Sequence, residues 1–110
     1  MKFVPYLAFG ETGNMKTRDL VYLVASQAQH AGGARGEDFE KRMRIIRAWK
    51  RDETAPGVQL EDADFEYLVA LIRAFPFMIA TCELDDALTS IKQAKEPPAI
   101  VLPVAEGRAA

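Results

Sequence analysis

The sequence predicts a mostly α fold, a compact bundle of about four helices with extended apolar arms at its N- and C-terminal ends. Three observations carry that expectation. Apolar residues recur at helical spacing in four separate segments, glycine or proline closes each segment, and an apolar stretch carrying proline lies beyond the helices at either end. At 110 residues, 49% hydrophobic and 27% charged, the chain has the size and balance of one globular domain. The expected division is an arm and loop over 1–16, a helical domain over 17–96 and a tail over 97–110.

Residues 3–9 (Phe3, Val4, Pro5, Tyr6, Leu7, Ala8, Phe9) are apolar and aromatic, and Pro5 forbids an early helix, so the stretch reads as an extended arm. Gly10, Gly13 and Asn14 make a loop. The first helix is expected from Arg18 to His30, with Thr17 as N-cap, Asp19 in its first turn and Gly32 as the left-handed residue that ends it. A second is expected over Glu37–Arg51, with Phe39, Met43, Ile46 and Trp49 as its apolar stripe. Pro56-Gly57 turns the chain, and Val58-Gln59-Leu60 suits one short extended rung.

The third helix has Glu61, Asp62 and Asp64 crowding its start, where the helix dipole favours negative charge, and Pro76 at its end. Its run of Phe65, Leu68, Val69, Leu71, Ile72 and Phe75 makes it the expected centre of the fold. A fourth helix is expected over Glu83–Lys95, capped by Thr81 or Cys82 and stopped by Pro97-Pro98. The expected core is Leu20, Val24, Phe39, Met43, Ile46, Phe65, Leu68, Ile72, Leu84, Leu88 and Ile91. Beyond it lies AIVLPVAEGRAA, an apolar stretch followed by small residues.

Composition narrows the function classes. A net charge of −2 gives no global attraction to nucleic acid or to an anionic membrane. The single cysteine, Cys82, excludes an intrachain disulfide and suits a reducing compartment. No stretch approaches the ~20 apolar residues of a membrane span, and the apolar start is too short for a secretory signal. The expected location is the cytoplasm, in a bacterium or in a cell infected by a virus.

The catalytic inventory is thin. His30 is the sole histidine and reads as a charge partner at a helix end. A zinc site needs about four nitrogen or sulfur ligands, which one His and one Cys cannot supply. The acids at 61, 62 and 64 point around their helix and match its dipole better than they surround a cation. Cys82 suits capping or packing, and the scattered glycines form no phosphate cradle. The expectation is a non-enzymatic protein with no cofactor and no metal.

One dense feature is the second helix. At about 100° per residue, Lys41, Arg44, Arg47 and Arg51 share a stripe, the chain's candidate nucleic-acid contact. Glu37 and Glu40 stand four residues before Lys41 and Arg44, however, in the favoured orientation for intrahelical pairs, and Glu40 would repel phosphate. Arg42 falls inside the apolar arc. It needs a carboxylate from the third or fourth helix or a stack on Trp49, or else it serves an interface with Trp49. The arms are the other feature: Phe3, Tyr6, Leu7 and Phe9 at one end and Ile100, Val101 and Leu102 at the other either cover the chain's own core or reach a neighbour.

The stretch VQLEDADFEYLVALIRAFPF, preceded by KRMRIIRAWKR, resembles small uncharacterised helical proteins encoded in tailed-phage genomes, over residues 41–77. The resemblance implies a context, that of an accessory or assembly factor that binds a host protein or itself, and no particular residues. With it, the expected function is binding another protein, or another copy of the chain as a homo-oligomer. The partner residues would be Phe3, Tyr6, Leu7, Phe9, Arg42, Trp49, Ile100, Val101 and Leu102. The rival is a nucleic-acid-binding regulator working through helix 37–51.

Overall fold

The computed structural model describes residues 1–27, 35–77 and 79–95. Its elements in chain order are β1 (Lys2–Pro5), β2 (Ala8–Phe9), β3 (Met15–Lys16), α1 (Thr17–Ser26), α2 (Gly36–Arg51), β4 (Gly57–Leu60), α3 (Asp62–Ala74) and α4 (Cys82–Lys92). The fold is mostly α; among the described residues four helices surround one core beside two small antiparallel sheets, β1–β4 and β2–β3.

The N-terminal stretch is extended, as its proline requires, but it is not a detached arm. β1 pairs with β4 in the register Lys2↔Leu60 to Pro5↔Gly57, and Val4 and Val58 are both fully buried. The rung expected at Val58–Leu60 is therefore one half of a sheet whose other half opens the chain. The Tyr6 N–H donates to the Pro56 carbonyl, while the Phe3 N–H donates to the Lys95 carbonyl on the opposite edge. Backbone direction alternates along a strand, so Pro5 faces the same edge as Phe3 and its missing N–H costs the β1–β4 ladder nothing. Gly57 makes the close approach possible: a Cβ there would lie 2.4 Å from the Val4 carbonyl oxygen.

Thr17 is the second anchor of this segment. Expected as an N-cap, it is instead the first residue of α1 and fully buried, and Lys16 takes the cap position without a side-chain bond. The Thr17 hydroxyl donates to the Pro5 carbonyl at 2.8 Å and accepts the Leu7 N–H at 2.8 Å, while its own N–H donates to the Leu7 carbonyl at 2.9 Å. A capping residue satisfies its own helix; this one spends its hydroxyl on the strand lying across it.

α1 ends at Ser26, short of the expected His30. Gly32, Gly33 and His30 lie outside the described residues, as does the expected tail from Pro97 onward. Arg42 occupies this end of α1, its Nη1 donating to the carbonyls of Val24, Ala25 and Gln27 at 3.1, 3.1 and 2.9 Å. A guanidinium from the next helix thus satisfies carbonyls at the end of α1, a task for which a glycine cap was expected further on.

The buried face of α2 is rotated from the expected stripe. Arg42 and Ile45 are its buried residues, Met43 and Ile46 are half-buried, and Phe39 is 53% exposed. The remaining core follows the periodicity: Leu20, Val21, Val24 and Ala25 from α1, Phe65, Leu68 and Ile72 from α3, and Leu84, Ala87 and Ile91 from α4. Leu88, expected among them, is half-buried. α3 stops at Ala74, where Phe75 turns extended ahead of Pro76. Of the two candidate caps of α4 Thr81 holds the position, its hydroxyl accepting the Leu84 N–H at 3.1 Å, and Cys82 is the first helical residue.

Candidate functional site

The residues expected to meet a partner are distributed over the molecule. Leu7 is exposed, but Tyr6 and Phe9 pack against the core. The Tyr6 ring lies 5.9 Å from the Arg18 guanidinium, and burial pushes its phenol above the usual range, with the Asp52 carboxylate adding to the effect. Trp49 is anchored to α1: its Nε1 donates to the Arg18 carbonyl at 2.9 Å, the Arg18 guanidinium sits 5.1 Å from its ring, and the exposed Tyr22 stacks at 4.8 Å. Arg42, 6% exposed, pairs through Nε with Asp38 at 3.0 Å. Its carboxylate is thus the residue one turn earlier on its own helix, not an acid of the third or fourth, and it does not stack on Trp49. Ile100, Val101 and Leu102 lie outside the described residues.

Phe3 and Phe9 do come together, with Pro5, beside the outer face of α4, where Asp86, Thr89 and Gln93 complete a groove of about 680 Å³. Its strand edge has little to offer an incoming peptide. The Phe3 N–H is spent on Lys95 and Pro5 has none.

The basic stripe of α2 is largely matched with acids. Lys41 lies 3.6 Å from Glu37 and its ammonium is 5.1 Å from the Tyr67 ring centre. Arg44 Nε donates to the buried Asp64 at 3.0 Å. Arg51 forks onto Asp52 at 2.9 and 2.7 Å and reaches the Gln59 carbonyl at 2.8 Å, while the Gln59 N–H donates back to Asp52. The hydrogen bonds from Arg51 hold the Asp52 carboxyl below the usual carboxylate range. Among the described residues only Arg47 of this stripe has no acid within 4.0 Å. It shares with Arg44 and Arg51 a cleft of about 280 Å³ floored by Ala48 and Leu60, with Met1, exposed Glu61 and buried Asp64 also in its lining.

A feature that sequence reasoning passed over is an apolar groove of about 530 Å³ between α1, the start of α4 and the link joining α3 to α4. Leu20, Leu23, Phe75, Phe77, Ile79 and Leu84 line it, with Met15, Pro76 and Gln27 at its margins. Leu23 is 37% and Ile79 57% exposed, and the Phe75 and Phe77 rings meet at 4.6 Å. The signal was the FPFMIA run itself, a link between two helices that is apolar where links are ordinarily polar. Cys82, next to this region, is exposed.

Among the described residues no three or more His, Cys, Asp or Glu side chains converge as a metal site, and no helix is long and apolar enough to cross a membrane. Comparison of the chain with protein-family models, with curated proteins and with solved structures gives no match.

Proposed function

We propose that this chain is a protein-binding protein without a catalytic step of its own, and that the groove between α1 and the α3–α4 link is where it holds its partner. The observation that carries the reading is the groove's combination of depth and exposure. Leu23, Phe77 and Ile79 present apolar surface to solvent beside buried Leu20 and Leu84, the arrangement that a partner's apolar side chains complete. The N-terminal residues favour this face indirectly: with β1 and Thr17 engaged inside the domain, they are no longer surplus. In the context implied by the resemblance of residues 41–77, an accessory or assembly factor of a phage-infected cell, the occupant is a host protein or a second copy of the chain. Nucleic acid bound along α2 has less support, because Lys41, Arg44 and Arg51 already face carboxylates.

The test is the double variant Leu23→Asp/Ile79→Asp, with mass measured by light scattering on the purified full chain. The wild type is expected above monomer mass or in a stoichiometric complex, and the variant as a monomer with unchanged helical circular dichroism. A wild-type chain that is monomeric and alone, or a variant that still associates, overturns the reading.

A further inference from the structure

The stripe on α2 retains one feature that pairing does not absorb, and the geometry points to a binding site for a single anionic group, a phosphate or carboxylate on an apolar stem, in the cleft centred on Arg47. Arg44, Arg47 and Arg51 lie three and four residues apart on one helix face, which sets their Cα atoms about 10 Å apart end to end along the axis. The two outer guanidiniums are fixed: Arg44 by Asp64, whose side chain is 11% exposed, and Arg51 by Asp52 and the Gln59 carbonyl. Arginines held in this way lose less freedom when a ligand arrives, because their positions are already set. Arg47 between them is exposed and faces no acid within 4.0 Å among the described residues.

Charge determines how much the cleft can take. The Arg44–Asp64 and Arg51–Asp52 pairs are each neutral, as is the pair of the Met1 ammonium, also in the lining, with Asp62, which leaves the Arg47 charge to recruit an anion. Glu61 on the rim opposes it, and its field reaches Arg51. That balance suits one anionic group and disfavours a polyanion laid along the helix. Ala48 and Leu60 on the floor favour a ligand whose charged group carries an apolar stem. The site lies on a different face from the apolar groove, and neither proposal depends on the other.

The experiment is a titration of the isotopically labelled full chain with phenyl phosphate, benzoate and inorganic phosphate, followed by two-dimensional NMR. Saturable shifts are expected at Arg47, Ala48 and Leu60, with phenyl phosphate and benzoate binding more tightly than inorganic phosphate. Arg47→Gln should weaken phenyl phosphate by about tenfold, as expected for one charge-assisted contact. Glu61→Gln should tighten it. A single-stranded oligonucleotide should show a salt slope near one contact, against about three if all four cations of the stripe engaged phosphates. Absence of saturation, equal binding by Arg47→Gln, or a slope near three overturns the proposal.

Discussion

Residues 2–9 and residues 75–79 are both short, apolar, aromatic and interrupted by proline, yet the fold treats them in opposite ways. The first is absorbed. It has a strand to pair with at 57–60, a buried hydroxyl at Thr17 to hold its bend, and a glycine at 57 that lets the two backbones close. Among its described residues the second has none of these partners. Phe75 and Phe77 pack half-buried beside the core, while Ile79 remains largely in solvent. An apolar run is buried not because it is apolar but because its backbone groups find partners as its side chains go in. Where those partners are only the turn's own residues, as for the Phe75 and Phe77 N–H groups on the Ile72 and Phe75 carbonyls, part of the run stays at the surface as a candidate binding face.

Deleting residues 1–9 gives the largest expected effect. It removes Val4 from the core, strips β4 of its ladder and leaves the Thr17 hydroxyl without its acceptor, which together amount to about 5 kcal/mol or more, comparable to the whole stability of an ordinary domain. Thermal unfolding by circular dichroism should lose its cooperative transition near room temperature. A truncated chain that melts like the full one would mean that the stretch is dispensable and that the contrast drawn above is wrong. Gly57→Ala is a smaller version of the same test. A Cβ within 2.4 Å of the Val4 carbonyl oxygen forces the strands apart, with an expected loss of about 3 kcal/mol in chemical denaturation. Thr17→Val keeps the volume and removes the hydroxyl, for a loss of about 2 kcal/mol; an unchanged midpoint would remove Thr17 as an anchor. In the other region, Leu23→Asp/Ile79→Asp should move the melting curve little, by about 0.5 kcal/mol or less, since both residues are partly in water already. A large loss there would make the groove part of the core and erase the distinction between the two runs.

The four helices were legible because each carries its own period, and α3 and α4 their punctuation as well: α3 ends just before Pro76, and Thr81, one of two candidate caps, begins α4. The sheet was not, because nothing local to Phe3 or Val58 indicates that they meet; the pairing is made across two intervening helices. Arg42 was recognisable as a charge in an apolar arc, but beside Asp38 its acceptors are main-chain carbonyls of α1, which no residue type advertises. The basic stripe illustrates the same limit. Lys41 and Glu37 were readable as an i,i+4 pair, whereas Asp64, which neutralises Arg44, comes from another helix. Phe39 misled for a simpler reason. A sixteen-residue helix so rich in charge has only a narrow buried arc, and a wheel built on its few apolar residues settles too far round.

The partnership of β1 and β4 also has a history in time. The ribosome completes β1 first, and its ladder partner emerges only after α1 and α2 have been made. Until then the face that carries Val4 has no strand to pair with, while the helices can form from contacts already in hand. Closing such a distant pair carries a loop-closure cost that local helix formation avoids, so β1 docking should come late and should govern how quickly the native state is reached. A nascent chain stalled just before residue 57 would then hold only α1 and α2, with Val4 and the apolar faces of both helices still waiting for β4, α3 and α4.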